Sequence, residues 1–366
     1  MKKRIGILTY RGENGFYEQG FLRRLVREGK LMGAEVFVFS PQDVNAASRM
    51  IKGFTPGADG WKSSWYAWPD IVIDRYRYYP IAKHKNYLPF RTKNLFRYAN
   101  SRFANKFRVH QVLMQEEELQ RWLPETRLYK RDVLADMLKR HGIVYVKPTN
   151  GSGGRSILRV ERRGKVYLLR GRTKKQGRKY AVLPTLSALT AEIERWTKRE
   201  KFGQEQFFLQ QGLDLTLLPG RTVDARLLIQ KDGSGKWRLT GVGMRLGPKQ
   251  SSTSNLHGGG TALPAGRFLA YRFGVQEAER ILCECRELAL KTVEAIEKHF
   301  GSMMEFGFDL GIDANGRVWI IEINPKPGRD IFRKLGQWDR YLHAVRRPLE
   351  YALHLVSDER IASHTG

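Results

Sequence analysis

The sequence predicts a mixed α/β protein, α+β in overall arrangement: an open α/β unit first, then antiparallel strands and helices. Three observations predict it. The chain opens with a strand-like run, IGILTY, a helix-patterned run and a second strand-like run, AEVFVFS, which is the order of a strand–helix–strand unit. Near the other end, two strand-like runs flank Asn315-Gly316, a strong hairpin signal. Composition agrees, with 41% hydrophobic residues and 36 glycines scattered over 366 positions. That length suits two or three domains, and the reading divides it at 1–100, 101–205 and 206–366.

The first part begins with three basic residues and an apolar run broken by Gly6, too short for a signal peptide and suited to a β-strand. YEQGFLRRLVREGKLMG predicts a helix, with Phe21, Leu22, Leu25 and Val26 at helical spacing and Gly33 as its stop. PDIVIDRY is a later strand. RGENGFYEQG does not supply a G-x-G-x-x-G fingerprint, so this part announces no dinucleotide. It is expected to bind substrate or to pack on the rest. The Trp-rich GADGWKSSWYAWPD reads either as a packed surface loop or as an acceptor-binding surface.

In the second part a helix is expected from near Ser101, with Lys106 in its first half, and another in RDVLADMLKRHG, ending at Gly142. IVYVKPTNGSGGRSILRV then reads as strand, loop, strand. The loop holds Asn150, Gly151, Ser152, Gly153 and Gly154, whose backbone N–H groups can surround phosphate oxygens. Lys147 offers a point charge to the same phosphates. A Gly-rich hairpin turn is the plainer alternative, and G-x-x-x-x-G-K-[ST] is absent. SILRVERRGKVYLLRG predicts a hairpin and TLSALTAEIERWTKRE a helix.

The third part opens with the apolar strand QFFLQQGLDL, carrying Gln210, Gln211, Gly212 and Leu213. TVDARLLIQ is a strand with Asp224 and Arg226 on one face, RLTGVGMRLG a strand carrying Arg245, and SSTSNLHGGGTA a loop with Asn255. VQEAERILCECRELALKTVEAIEKHFG is a long amphipathic helix read as core. The hairpin comes next: Asp309 on its first strand, Glu322 and Asn324 two apart on its second and therefore on one face. A turn centred near Asn315-Gly316 sets Asp309 opposite Glu322. Two carboxylates and an amide oxygen on one face suit a hard cation such as Mg²⁺, and a solvated polar face is the alternative. Pro325-Lys326-Pro327-Gly328 ends the strand and brings Lys326 beside the site.

The formal charge of +28 favours polyanions or acidic proteins over neutral partners, and RGRTKKQGRKY (170–180) is its local concentration. A generally basic surface with no specific partner is the competing reading. No apolar run approaches a membrane span. The two cysteines, Cys283 and Cys285, leave different faces of one helix, so a disulfide scaffold is excluded and a reducing, cytoplasmic setting is expected.

Phe308-Asp309 followed by Glu322, Asn324, Pro325, Pro327 and Gly328 resembles the metal-binding end of the ATP-grasp superfamily. Lys106 and Lys147 occupy the places of its two nucleotide lysines. D-x-R at Asp224 and Arg226, then Arg245 and the SNLHGG loop, resemble ribosomal-protein glutamate ligases within it. Taken whole, VKPTNGSGG, FFLQQGLDL, TVDARLLIQ, SSTSNLHGGG and FGFDLGID-to-EINPKPG are similar to the YheC/YheD-type ATP-grasp proteins associated with endospore coats.

The resemblance implies an ATP-grasp fold: an N-terminal open α/β domain, a small lid, and a C-terminal antiparallel-sheet domain. It implies ATP, with Mg²⁺ (or Mn²⁺) on Asp309, Glu322 and Asn324. Nucleotide contacts fall to Lys106, Lys147, residues 150–154, residues 210–213, Asp224, Arg226 and Asn255, and catalytic roles to Arg245 and Lys326. The activity implied is a carboxylate–amine ligase working through an acyl phosphate, on unidentified carboxylate and amine substrates, with an acidic peptide or coat protein as candidates. An ATP-binding structural coat protein and a basic polyanion binder are the competing classes. Nucleic acid is the less favoured partner, and the expected location is cytoplasmic or coat-associated.

Overall fold

The structure is a computed structural model and describes residues 2–78, 81–103, 106–149, 155–175, 177–201, 206–248 and 259–362. Among the described residues, three sheets and their helices form the body of the molecule.

The first sheet contains β1 (Arg4–Leu8). A ribbon of β2 (Arg11–Gly12) and β3 (Gly15–Phe16) and helix α1 (Gln19–Leu31) lead to β4 (Glu35–Phe39), β5 (Val44–Asn45), β6 (Met50–Gly57), β7 (Gly60–Ala67) and β8 (Ile71–Asp74), with α2 (Tyr87–Thr92) beyond. β1 lies parallel to β4 on one side and to β8 on the other. Ile5, Ile7, Val36 and Val38 fill one core while Leu8, Phe37, Phe39 and Val72 fill another, as a sheet covered on both faces requires. The Trp-rich stretch is not a loop. Residues 60–67 form β7, which pairs with β6 along its length and so satisfies its backbone in a hairpin.

The second sheet follows α3 (Lys106–Leu113) and α4 (Glu117–Gln120). It comprises β9 (Thr126–Leu128), then, after α5 (Arg131–His141), β10 (Ile143–Pro148), β11 (Ile157–Arg163), β12 (Val166–Arg172) and β13 (Arg178–Leu183), and, after α6 (Leu186–Glu200), β14 (Phe207–Gln211). The order is β13-β12-β11-β10-β14-β9, antiparallel throughout. α5 and α6 cover one face, where Leu134, Leu138, Leu189, Ile193 and Trp196 meet Val144, Val146, Val160 and Leu209.

Two expectations change here. Strand 207–211, read as the start of the third part, belongs to this sheet because its apolar side chains fill the lid's core. The helix expected from Ser101 leaves out residues 101–103 and is described from Lys106 onward. The Ser101 amide donates to the Ser302 carbonyl, and Phe103 packs on Phe300 and Phe306, which ties this stretch to the third part instead.

The third sheet holds β15 (Val223–Lys231), β16 (Trp237–Leu246) and β17 (Thr261–Pro264). Helices α7 (Ala265–Phe273) and α8 (Val275–Phe300) precede the hairpin of β18 (Glu305–Ile312) and β19 (Val318–Asn324), and α9 (Asp330–Lys334) and α10 (Trp338–Ala362) end the fold. The order β17-β16-β15-β18-β19 is antiparallel. α8 packs Ile281, Cys285, Leu288, Ala289 and Ile296 onto this sheet together with Val109, Leu113 and Trp122 from the second part. α10 returns to the N-terminal sheet: Ala344, Val345, Leu349 and Ala352 share a core with Leu22, Leu25 and Val36. The units separated at residue 100 in the linear reading thus share packing.

Candidate functional site

The hairpin of β18 and β19 carries the site. Ile312 faces Val318 near the turn and Asp309 faces Glu322 farther along, with a bulge between Asp309 and Leu310. Phe308, Leu310, Ile312, Val318 and Ile320 point into the core, and Ile323 packs against it. Asp309, Glu322 and Asn324 leave the opposite face. Asn324 is opposite Gly307. A Cβ at Gly307 would fall 2.7 Å from Pro327 Cβ and 2.8 Å from the Arg226 guanidinium, so the chain needs glycine there for close approach. Sequence reasoning passed over Gly307; the signal was a glycine two residues before the acidic position.

Neighbouring strands aim cations at these carboxylates. Register pairs Arg226 of β15 with Asp309, and its Nη1 binds Asp309 Oδ1. Arg245 of β16 lies opposite Asp224 and donates Nε and Nη2 to its two oxygens at 2.7 Å each. Arg245 Nη2 also reaches Asp309 Oδ1 at 3.0 Å. Burial works to raise the Asp309 carboxyl, but Arg245 and Arg226 outweigh it and hold the group below the usual carboxylate range. Asp224, assigned a nucleotide role by resemblance, therefore orients Arg245 through a fork-to-fork pair.

Lys106 Nζ meets Glu322 Oε1 at 3.1 Å, and its amide donates to the Thr149 carbonyl at 3.2 Å, tying the start of α3 to the end of β10. Lys147 of β10 donates to Gln210 Oε1. Burial, then the nearby Lys106 charge, push the Lys147 ammonium down to about 8 against the opposing pull of Glu322. The lid lysine, the helix lysine and the hairpin glutamate thus lie within electrostatic reach of one another.

In the 210–213 connector, the Gln211 amide donates to the Glu125 carbonyl and the Gly212 amide to the Ile143 carbonyl, both at 2.8 Å, so these two groups belong to the sheet. Gln211 Oε1 accepts from the Glu125 amide at 3.2 Å. Leu213 follows the strand, half-buried. Asn150, Gly151, Ser152, Gly153, Gly154 and Asn255 lie outside the described residues.

Lys326 is placed differently from the expectation. Its ammonium is 2.7 Å from both Asp74 Oδ1 and the Tyr76 carbonyl and 3.3 Å from the Tyr87 hydroxyl. Asp74 is buried and also pairs with Arg91 at 3.2 Å, so the turn after β19 docks Lys326 on the N-terminal sheet as a second cation for that carboxylate. Next to it, Glu305 is fully buried between Arg75 and Arg329, and both guanidinium groups also donate to the Pro327 carbonyl.

The donor set fits a hard divalent cation, with two carboxylates and one amide oxygen on a common face. Among the described residues no group of three or more His, Cys, Asp or Glu offers a competing centre. Arg226, Arg245, Lys106 and Lys147 outnumber Asp224, Asp309 and Glu322, which leaves the site a net attraction for a polyphosphate.

A family model described as YheC/D like ATP-grasp matches residues 95–355. The chain is 30% identical over 356 residues to the endospore coat-associated protein YheD of Bacillus subtilis (strain 168), covering 94% of this chain and 75% of that protein. In fold it is similar to D-cycloserine synthetase DcsG, with a TM-score of 0.58 at 14% identity over 97% of this chain and 99% of that one. It is also similar to the D-alanine-D-alanine ligase from Coxiella burnetii, with a TM-score of 0.55 at 12% identity over 100% and 99%.

Proposed function

The chain belongs to the YheC/D-like ATP-grasp family, and from that premise we propose that it is an ATP-dependent carboxylate–amine ligase, ADP-forming, acting in spore coat formation. One observation carries the reading: Asp309 and Glu322 face each other across the hairpin while Arg226, Arg245 and Lys106 converge on them. A protein that only held nucleotide as ballast has no need for this many ion-paired groups around two half-buried carboxylates.

Asp309, Glu322 and Asn324 are the residues that would hold Mg²⁺, and the ion would neutralise charge on the β- and γ-phosphates. The chain's own groups do the rest. Lys147 and Lys106 bind and orient the triphosphate. A substrate carboxylate attacks the γ-phosphorus, the bond to the bridging oxygen breaks, and ADP leaves. An amine then attacks the acyl phosphate, loses a proton, and expels phosphate as the amide forms. Arg226 and Arg245, already oriented by Asp309 and Asp224, supply the fixed cations for the negative charge that develops. Asp224 keeps Arg245 aimed, and Lys326 positions the turn after β19 through Asp74. The test is ADP release with ATP, Mg²⁺, a carboxylate panel and hydroxylamine as amine: a carboxylate-dependent hydroxamate supports the ligase, and ATP binding without any hydroxamate sinks it.

The depressed Lys147 group adds a pH signature. Below about 8 the ammonium is charged in the nucleotide-free protein, and above that it is neutral. ATP affinity measured by calorimetry should therefore fall between pH 7 and pH 9, and Lys147→Met should flatten that profile as well as weaken binding. A wild-type profile flat across that window would remove Lys147 from the nucleotide site.

A further inference from the structure

The concentration of positive charge at 170–180 has no part in the ligase chemistry. Between residues 155 and 201 there are fifteen Lys and Arg against four Glu and no Asp. All four glutamates are engaged: Glu161 with Arg159 and Arg163, Glu192 with Lys179 and Arg195, Glu194 with Arg131, and Glu200 with Arg199. Arg172, Lys175 and Arg178 make no ion pair with a described residue. They sit at the tip joining β12 to β13, where Arg172 and Arg178 are cross-strand partners.

Two features make this tip a built element. First, register places it. Ile157, the first residue of β11, pairs with Arg172, and Lys147 near the end of β10 lies on the same side of the sheet as both. The basic tip and the strand ends that flank the Gly-rich loop therefore overhang the same end of the sheet. Second, Glu200, only 2% exposed, staples the two together. Its carboxylate accepts from Ser156 Oγ at 3.1 Å, where the loop returns to β11, and from the Lys174 amide in the tip. Lys174 Nζ donates to the Arg199 carbonyl at 2.8 Å, and Thr173 and Gly177 close the turn through paired bonds of 2.9 Å. With Ser156, the Lys174 amide and Arg199 as partners, the buried Glu200 carboxylate is satisfied and fixes the basic turn against the start of β11.

We propose that this tip docks an acidic polypeptide, a run of Asp or Glu side chains that presents its carboxylates to the adjacent site. Charge complementarity selects an anionic partner. The aromatic content selects against single-stranded nucleic acid, which needs several stacking faces: on the outer two strands the only large exposed ring among the described residues is Tyr180, already beneath the Arg170 guanidinium at 5.8 Å. Docking itself is independent of the ligase reading; only the activation of a docked carboxylate rests on it.

The test is fluorescence anisotropy with labelled oligo-glutamate, without nucleotide, beside calorimetry for ATP. The unsubstituted chain should bind the peptide with an affinity that falls steeply with salt. The triple variant Arg172→Ala, Lys175→Ala, Arg178→Ala should bind it at least about tenfold more weakly and bind ATP unchanged. Equal peptide affinity in the variant overturns the proposal, as does single-stranded DNA of equal charge displacing the peptide at equal or lower concentration. Failure of the unsubstituted chain to bind ATP would sink the ligase reading alone, and the peptide comparison would still decide the docking.

Discussion

Glu322→Gln is expected to lower ADP release by about 10²–10³-fold with the fold intact, and Asp309→Asn by at least as much. Glu322 is half-buried on a strand at the sheet edge and meets the Lys106 ammonium, so losing its charge removes a partly exposed pair and little packing. Its unfolding midpoint should stay within a few degrees of the unsubstituted chain. Asp309 is the anchor for both Arg226 and Arg245, so its amide variant leaves two buried guanidinium groups with one carboxylate, Asp224, between them. Some loss of stability should accompany its loss of turnover. The discriminating readout is the metal dependence of the residual activity: a raised Mg²⁺ requirement in Glu322→Gln supports the assignment. Turnover at the unsubstituted rate in both variants would falsify it.

Glu305→Ala should be the most destabilising single change in the molecule outside the apolar core, by about 3–5 kcal/mol. Glu305 is buried between Arg75 of the N-terminal unit and Arg329 of the segment before α9, and Gln230 Nε2 donates to it at 2.8 Å. Removing the carboxylate leaves two buried guanidinium groups facing one another, with Glu18, which pairs with Arg75 and acts on Arg329 only through space, as the compensating charge among the described residues. The cost falls on the junction between the units, because Arg75 also holds the Pro327 carbonyl just beyond the hairpin. Chemical denaturation should show a lowered midpoint, and limited proteolysis should cut between the N-terminal sheet and the hairpin. An unchanged midpoint would mean that Arg75 and Arg329 find other partners. Restoring volume without charge, as Glu305→Gln, should recover only part of the loss.

The order of strands and helices was legible because each of its signals is local. Alternation in TVDARLLIQ, helical spacing in the run that became α8 and glycines at Gly33 and Gly142 act within a few residues, and the structure carries them as β15, α8 and two positive-φ helix stops. The Trp-rich stretch was harder. Its exposed face alternates charged, small and aromatic residues, and only pairing with β6 makes it a strand. Lys326 shows the same limit from the other side. Nothing within its own segment says that a buried aspartate more than two hundred residues earlier will claim its ammonium.

By itself the sequence determined the inventory: the acidic pair, the amide two residues on, the glycine-rich stretch and the lysines before it, in an order that resembles one superfamily. The facing of Asp309 and Glu322 was legible from a turn centred near Asn315-Gly316, but the ladder that delivers it was decided by tertiary structure. Counting back from the turn, where Ile312 faces Val318, a regular ladder would set Asp309 against Ile321; the bulge beside Asp309 moves the register by one and sets it against Glu322. The core drives that shift. Val318, Ile320 and Ile323 all turn inward only if the strand gains one residue between them, and burying those three apolar side chains is what turns the two carboxylates to a common face.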